Sequence, residues 1–417
     1  MKVLRTSGRA ASETIAALTD RRNAAFERVL PQAARIIDQV RRGGDRALLR
    51  LRAKLDGTPS QSPLRIPEVE IRLAWESTSK PLREAMTLAA RNIRAFAERQ
   101  RPKDFSLKPA SGVTTGQRVI PLASAGCYVP SGRYPLPSTL LMTVIPAQVA
   151  GVERIVVVSP RPTRETLAAA ALLGITEFWH LGGAHAVAAL AYGTESLGRV
   201  DKTVGPGNAW VTAAKKLVSF DSAIDMLAGP TEIVITSETG NPAALAADLV
   251  AQAEHDPDAV AILITTQAQL AKNVVAEVRQ QARGNRIATQ SLAKNGLALI
   301  ARSVEEAREL TNRIAPEHLT VDSSADLAWV RNAGSVFIGP WSAQPLGDYV
   351  SGPNHTLPTS GLARTRGGLS VMDFLKLITV QEYTEAGVRQ LGPAAIALAE
   401  AEGLASHAAA TRQRGVR

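Results

Sequence analysis

The sequence predicts an α/β protein with two Rossmann-like parallel-sheet domains, a helical N-terminal segment and a helical C-terminal tail. Short apolar runs rich in Val and Ile alternate with helical runs from residue 154 to 237, which is typical of βαβ units and of a parallel sheet covered by helices. The same alternation returns between residues 241 and 339. A chain of 417 residues is long enough for two such domains.

The elements follow in chain order from their apolar spacing. Residues 10–108 show helical spacing interrupted by Gly or Pro, and they predict helices. After the loop "SGRYPLPST", the runs "RIVVVSP", "ITEFWHLG", "KTVGPG" and "EIVITS" predict strands, and the runs between them predict helices. Asn241 can cap and Pro242 can start the helix "PAALAADLVAQAE", and "AVAILIT" predicts the strand that follows it.

The segment from residue 341 to 368 has a different character. Its sequence, "WSAQPLGDYVSGPNHTLPTSGLARTRGG", is rich in Gly and Pro and has no apolar period. Long loops in compact domains are usually functional or disordered, and this segment is predicted to be such a loop. Beyond it, the Ala-rich tail from residue 381 predicts helix.

The net charge of +10 is concentrated in the N-terminal quarter of the chain. Residues 1–110 hold 23 Lys and Arg against 12 Asp and Glu, and the rest holds 25 against 26. These charges are spread over helical stretches with few aromatic residues between them. A solvated face or a subunit contact is therefore favoured over a nucleic-acid surface.

The single cysteine, Cys127, excludes an intrachain disulfide and a cysteine-clustered zinc site, in agreement with a reducing compartment. We interpret it as a small buried apolar residue rather than a nucleophile. No apolar run reaches the roughly 20 residues that span a bilayer, and "MKVLRTSGRA" lacks the apolar core of a signal peptide. We therefore expect a cytoplasmic protein that does not bind membranes.

Two predicted strand-to-helix turns are rich in glycine, "LGGAH" at 181–185 and "VGPGN" at 204–208. At the carboxyl ends of parallel strands, backbone N–H groups and helix dipoles favour a phosphate. Neither turn fits G-x-G-x-x-G. Each is therefore either a tight turn, with Asn208 as a helix cap, or part of a nucleotide site.

A second group of residues has the chemistry of a metal site. Gln252 and His255 lie three residues apart and share one helix face. Other imidazole and carboxylate groups in polar or irregular contexts are Glu317, His318, Asp348, His355, Glu402 and His407. Together they could supply zinc ligands and a general base, although the spacing shows no H-E-x-x-H and each histidine could instead be structural.

The adjacent residues Glu317 and His318 follow a predicted helix that stops near Pro316. They form either a solvated loop pair or an acid–base pair that works near neutral pH. Glu402 and His407 are five residues apart, which separates them by about 140° on a helix. Either Gly403 breaks that helix, or the two residues contact different groups.

Several longer motifs follow one another in a fixed order. They are "YVPSGRYPLPSTLLM", "GGAHAVAALAYGTESLGRVDKTVGPGNAWV", "DMLAGPTEIVI", "DLVAQAEHDPD", "APEHL", "GDYVSGPNHTLPT" and "AEGLASH". In these motifs and in their order, the chain resembles the histidinol dehydrogenase family over most of its length after residue 120. The N-terminal helices resemble the family only loosely.

This resemblance implies an NAD- and zinc-dependent enzyme that oxidises L-histidinol through L-histidinaldehyde to L-histidine, reducing two NAD, in the last step of histidine biosynthesis. By position, the implied zinc ligands are Gln252, His255, Asp348 and His407. Glu317 and His318 match the acid–base pair of the family. Zinc in this family positions the imidazole and amino groups of the substrate.

The resemblance also implies the binding residues. Those that contact substrate are Thr231, Gln252, His255, His318, Asp348, His355, Glu402 and His407. Those that contact NAD are Tyr128, His185 and Asn208. The family resemblance further implies a homodimer in which the C-terminal segment crosses to the partner, so that Glu402 and His407 complete the other subunit's site.

The implied organisation has four parts. An N-terminal arm covers residues 1–20. A first α/β domain with the metal and catalytic residues combines 21–125 with 232–370. A second α/β domain, at 126–231, binds NAD, and the C-terminal helical dimerisation segment covers 371–417.

Three departures from the family pattern leave alternatives open. His185 replaces a usual Gln, Thr231 replaces a usual Ser, and "KKLVSFDSAIDM" is a short connection. The first two resemble relatives that oxidise other alcohols, such as sulfopropanediol dehydrogenase. One alternative is therefore a paralogous zinc- and NAD-dependent dehydrogenase that acts on another polar alcohol. A second is a zinc hydrolase, which would leave the glycine-rich turns unexplained. A third is a nucleic-acid-binding protein, which rests on the N-terminal charge alone.

Overall fold

The structure is a computed structural model that describes residues 1–19, 24–59, 61–131 and 134–415. Its strands are β1 (Lys2–Arg5), β2 (Phe105–Ala110), β3 (Val113–Pro121), β4 (Ser124–Tyr128), β5 (Arg154–Ser159), β6 (Glu177–His180), β7 (Lys202–Val204), β8 (Ala223–Ile224), β9 (Glu232–Thr236), β10 (Val260–Thr265), β11 (Leu297–Ile300), β12 (His318–Val321), β13 (Ser335–Ile338) and β14 (Leu375–Tyr383).

The α-helices among these residues are α1 (Arg9–Thr19), α2 (Ala24–Glu27), α3 (Leu30–Leu55), α4 (Glu68–Ser77), α5 (Lys80–Gln100), α6 (Pro137–Ala150), α7 (Arg164–Leu172), α8 (Gly183–Tyr192), α9 (Ala209–Val218), α10 (Pro242–Ala253), α11 (Ala268–Gln281), α12 (Arg286–Asn295), α13 (Val304–Ile314), α14 (Gln344–Tyr349), α15 (Glu385–Ala401) and α16 (Ala405–Arg412). Short 3-10 segments lie at Ser324–Ala328, Leu362–Arg364 and Val371–Phe374.

One parallel sheet has six strands in the order β1-β11-β10-β9-β12-β13. Every residue of β10, "VAILIT", is buried, because helices cover both faces of the sheet. Asn241 caps α10 as predicted, since its side-chain oxygen accepts the N–H groups of Ala243 and Ala244. The second parallel sheet has five strands in the order β6-β5-β4-β7-β8. The predicted α/β class with two Rossmann-like parallel sheets is thus confirmed.

The N-terminal helices pack against the five-stranded sheet. Helix α3 contacts α8 and α9 on one side, whereas α4 and α5 contact α7 and α6 on the other. The sequence had grouped residues 21–125 with 232–370, around the other sheet. Apolar periodicity identifies the face of a helix that is buried, but not the sheet that buries it. Strand β1 of the predicted arm instead pairs with β11 at the edge of the six-stranded sheet.

A third, antiparallel sheet joins the hairpin β2–β3 to β14. Two predictions are wrong here, because β2 lies within residues 10–108, which are predicted as helices, and β14 lies within 371–417, which is predicted as a helical segment. Strand β14, "LKLITVQEY", pairs with β3 over nine residues without a break, and only α15 and α16 of the tail are helical. Apolar side chains of β14, including Leu377, Ile378 and Val380, are exposed.

No helix among the described residues is both long and apolar enough to cross a bilayer.

Candidate active site between the two parallel sheets

A cavity of about 180 Å³ lies where the two parallel sheets face each other. From the five-stranded sheet, the turn after β7 contributes Gly205, Pro206 and Gly207 at the carboxyl edge. From the six-stranded sheet, residues at the starts of β9 and β12 line the cavity at the amino edge. Side chains that line it from this second side are Thr231, His255, Glu317, His318, Asp348 and His355. The structure therefore brings together six of the predicted site residues.

Glu317 and His318 are buried at the amino end of β12, so they are not a solvated loop pair. The Glu317 carboxylate oxygen Oε2 accepts the Thr231 hydroxyl at 2.5 Å and the Glu232 N–H at 2.8 Å. His318 Nδ1 lies 3.2 Å from the Glu232 carbonyl oxygen and donates to it, because a carbonyl only accepts. The other ring nitrogen, Nε2, is 3.3 Å from Asp348 Oδ1 and faces the site.

The surroundings of this pair shift both pKa values upward. Burial raises the pKa of Glu317 to about 7, although the nearby His318 partly opposes that shift. Burial favours neutral His318, but Glu317 and Asp348 outweigh it and raise the pKa of His318 to about 9. Burial also opposes the ionised form of Asp348, yet the contact with His318 holds its pKa below the usual value. Glu317 can therefore take up and release a proton near neutral pH, whereas His318 is a cation there and becomes a proton acceptor as pH rises toward about 9.

Helices α10 and α14 bring the candidate metal ligands together. The Gln344 side-chain nitrogen lies 2.7 Å from Gln252 Oε1 and 3.1 Å from Asp348 Oδ2, so these two oxygens are close neighbours. His255 follows the end of α10, and its N–H donates to the Gln252 carbonyl. It lines the same cavity and lowers the pKa of Asp348.

The donor chemistry of Gln252, His255 and Asp348 fits zinc, which accepts nitrogen and oxygen ligands. No group of three or more His, Cys, Asp or Glu suited to a metal occurs in the described part of the chain. Of the three candidate ligands, only His255 and Asp348 belong to these four residue types, because the third ligand is a glutamine. A fourth ligand would have to come from elsewhere.

Glu402 and His407 lie outside the cavity of their own chain. Both side chains are exposed on the tail, and neither lines the cavity. Gly403, with a φ of +75°, separates α15 from α16, so the two residues do not share one regular helix. The separation of about 140° that a single helix would impose on Glu402 and His407 therefore does not apply. Within one chain, however, His407 does not reach the other predicted zinc ligands.

Two predicted cofactor residues lie at the carboxyl edge of the five-stranded sheet, where Tyr128 ends β4 and contacts one glycine-rich turn and Asn208 belongs to the other. The Tyr128 hydroxyl accepts the Gly183 N–H at 3.1 Å at the start of α8, and burial raises the pKa of Tyr128. Asn208 caps α9 by accepting the N–H groups of Trp210 and Val211. Both turns thus present helix N-termini to one edge of the sheet.

His185, the third predicted cofactor residue, is fully buried. Its Nε2 lies 3.0 Å from the Asp56 carboxylate at the end of α3, and its Nδ1 has no hydrogen-bond partner among the described residues. The replacement of the family's Gln is therefore accompanied by a contact with α3. Sequence spacing contained no signal for it, because 129 residues separate the two partners.

Two further residues of the site were missed. Thr139 contacts His355 Nε2 at 3.2 Å, while the other nitrogen of His355 donates to the Asp348 carbonyl at 2.7 Å. Gln344 contacts two candidate metal ligands, as described above. Its position four residues before Asp348, on one helix face, was a usable signal, whereas Thr139 had none.

We expect any side chain at position 205 to destabilise the fold, because Gly205 has a left-handed backbone conformation in close contact with Tyr128. Its φ is +112°, and a Cβ there would lie 2.2 Å from the Tyr128 carbonyl oxygen. Gly205→Ala should lower the free energy of unfolding by about 2–4 kcal/mol, measured by urea denaturation. Gly284→Ala is the matched control, since Gly284 has a φ of +83° with open space around it. Equal losses in the two variants would show that the close contact with Tyr128 contributes nothing.

Comparison with known proteins agrees with this arrangement. A family model described as histidinol dehydrogenase matches residues 19–415. The chain is 44% identical over 389 residues to histidinol dehydrogenase of Aquifex aeolicus (strain VF5), covering 91% of each protein. It is also 44% identical over 414 residues to that of Methanothermobacter thermautotrophicus, covering 96% of each.

A solved structure shows the same similarity. The crystal structure of histidinol dehydrogenase from Elizabethkingia anophelis superposes with a TM-score of 0.93 at 34% sequence identity, covering 99% of this chain and 98% of that one. The match includes both parallel sheets and nearly the whole chain. The protein therefore belongs to the histidinol dehydrogenase family and is an oxidoreductase.

Proposed function

We propose that the protein oxidises L-histidinol through L-histidinaldehyde to L-histidine, with zinc and with two NAD reduced per substrate, as the last step of histidine biosynthesis. The observation that carries this proposal is the buried pair Glu317 and His318 in a cavity shared with His255 and Asp348. Gln252 lies beside this cavity, hydrogen-bonded to Thr231. Membership of the histidinol dehydrogenase family supports L-histidinol as the substrate. A cytoplasmic location stays a prediction.

Gln252, His255 and Asp348 would hold the zinc, with His407 as the fourth ligand. Zinc would position the imidazole and amino groups of the substrate, and NAD would accept one hydride in each oxidation. In the first oxidation, the neutral form of His318, which becomes more abundant as pH rises toward about 9, takes the proton of the substrate hydroxyl while the hydride leaves carbon. Because Nδ1 donates to the Glu232 carbonyl, Nε2 is the nitrogen that accepts this proton.

In the second oxidation, Glu317, with His318 beside it, takes a proton from the water that adds to the aldehyde carbon. The resulting hydrate loses a proton from oxygen to His318 and the second hydride from carbon, which NAD would accept, and the carboxylic acid remains. A Glu317 pKa of about 7 suits this step, because the carboxylate is available near neutral pH and its conjugate acid can return the proton. Substrate contacts from Thr231, His355 and Glu402 complete the proposed site.

For NAD, we propose binding at the carboxyl edge of the five-stranded sheet, beside Tyr128, His185 and Asn208. The N-termini of α8 and α9 favour a phosphate there. Residues 126–231 would then be the NAD-binding domain and 232–370 the domain with the catalytic and metal residues. Because His185 contacts Asp56, α3 would belong to the wall of the cofactor site.

We also propose a homodimer in which the tail crosses to the partner. Support comes from Glu402 and His407, which lie outside their own chain's cavity, and from exposed apolar side chains on the tail. Leu398 and Leu404, on either side of the turn at Gly403, are 66% and 42% exposed. A two-fold dimer would use the same exchange twice and complete both sites.

The test is the amount of NADH formed per L-histidinol consumed, followed by absorbance. Two NADH per substrate are expected, with activity lost after chelation and restored by zinc. A folded, zinc-loaded protein that forms no NADH from L-histidinol would contradict the proposal.

The alternative substrate, a sulfonated diol, is not favoured. Thr231 keeps the hydroxyl of a serine, and this hydroxyl is hydrogen-bonded to Gln252 and Glu317.

A further inference from the structure

A chain of three hydrogen bonds connects the candidate metal ligands to the catalytic pair. The Gln344 side-chain nitrogen donates to Gln252 Oε1 at 2.7 Å. The Gln252 nitrogen donates to the Thr231 hydroxyl oxygen at 2.5 Å, and that hydroxyl donates to Glu317 Oε2 at 2.5 Å. Gln252 and Thr231 thus each accept a hydrogen bond from the side of Gln344 and donate one toward Glu317.

The two side-chain amides in this series of hydrogen bonds, those of Gln252 and Gln344, are buried. Gln252 is 0% exposed and Gln344 is 1% exposed. A buried amide that lacks partners costs about 1–3 kcal/mol, so the neighbours on both sides determine which way the Gln252 amide points. Turning it by 180° would place its NH2 against the NH2 of Gln344, two donors with no acceptor between them.

The position of Gln344 is itself held by two contacts. Its backbone N–H faces the carboxylate of Asp248, one turn before Gln252 on α10, and partly offsets the burial that raises the pKa of Asp248 to about 6. Its side-chain nitrogen also donates to Asp348 Oδ2 at 3.1 Å. One amide group therefore touches two candidate ligand residues, and it does so from the first turn of the helix that carries Asp348.

We propose that Gln344 and Thr231 are positioning residues that orient the Gln252 amide, with its oxygen directed to the zinc side next to Asp348 and its nitrogen directed to Glu317. The inference rests on the proposed zinc site. A flipped amide would present its NH2 to the cation, where it has no lone pair to offer. Partners that orient metal ligands in this way typically contribute about 10–100-fold in metal affinity.

The experiment measures zinc affinity, not activity. Apoprotein prepared by dialysis against a chelator is titrated with zinc in competition with a fluorescent zinc indicator. Gln344→Met keeps the side-chain length but cannot donate, and Thr231→Val keeps the shape but has no hydroxyl. Both variants should bind zinc about 10–100-fold more weakly than wild type, whereas Thr231→Ser should bind it as wild type does.

Gln148→Met is the matched control. The Gln148 amide also makes two hydrogen bonds of 2.7 Å, one from Arg94 and one to the Leu173 carbonyl, but lies on α6 away from the ligands. It should lose stability without losing zinc affinity. A purely structural Gln344 would behave in the same way.

The outcomes separate this inference from the proposed function. If the wild-type protein takes up no zinc, the proposed cofactor is wrong. If wild type binds zinc and Gln344→Met and Thr231→Val bind it equally tightly, the positioning role is overturned. Should Gln344→Met fail to fold, the comparison of Thr231→Val with Thr231→Ser decides, because equal zinc affinities of these two variants would overturn the role of the hydroxyl.

Discussion

His318→Asn should lower kcat for NADH formation from L-histidinol by about 10²–10⁴-fold, the usual contribution of a general base. The asparagine side-chain nitrogen can still donate to the Glu232 carbonyl, as Nδ1 of His318 does. The variant loses Nε2, and with it both the lone pair that accepts the substrate proton and the contact with Asp348. Steady-state kinetics at saturating NAD and L-histidinol would measure this loss.

The matched variant is Glu317→Gln, which keeps the size of the side chain and removes its charge. It should also reduce kcat strongly and should slow oxidation of L-histidinaldehyde more than that of L-histidinol. Circular dichroism and zinc content should match wild type for both variants. A His318→Asn enzyme with nearly wild-type kcat would remove His318 from the mechanism.

The pH dependence of the aldehyde step follows from Glu317. Burial raises its pKa to about 7, and a base must be ionised, so the rate should rise with pH through about 7. Glu317→Gln should flatten this limb. The folded state also binds this proton more tightly than the unfolded state does, so the contribution of Glu317 to stability decreases as pH rises from about 4.5 to about 7.

Mixing two inactive variants should restore activity if the tail crosses between subunits. His407→Ala removes the tail ligand, and Glu317→Gln removes the acid–base carboxylate. In a mixed dimer with exchanged tails, one site receives both substitutions and the other receives neither. Random mixing should therefore restore about a quarter of the wild-type sites, measured as NADH formation after coexpression or subunit exchange.

The control mixture combines Glu317→Gln with His318→Asn. These neighbouring residues belong to one chain's cavity, so each site of their mixed dimer carries one substitution, and no activity should return. If the mixture of His407→Ala with Glu317→Gln also stayed inactive although mixed dimers formed, His407 would serve its own subunit or none.

Local signals in the sequence determined much of this protein. The caps at Asn208 and Asn241 and the buried run "VAILIT" are found as predicted, because caps and apolar periods depend on neighbouring residues. The adjacency of Glu317 and His318 left both a solvated loop pair and an acid–base pair open, and only the fold shows that the two residues are buried. Strand β14 was missed because its exposed, mixed pattern has no buried face to indicate a strand.

Tertiary structure decided the rest. Only the fold shows that the cavity joins the carboxyl edge of one sheet to the amino edge of the other, and that α3 packs beside the glycine-rich turns. The contacts of His185 with Asp56 and of Gln252 with Gln344 join residues 129 and 92 positions apart. The sequence by itself determined most of the helices and the strands of the two parallel sheets, since caps and apolar periods are local properties. The family resemblance of its motifs named the candidate site residues. Which of those residues meet, and which way a buried amide points, depends on packing between distant segments, which no local pattern encodes.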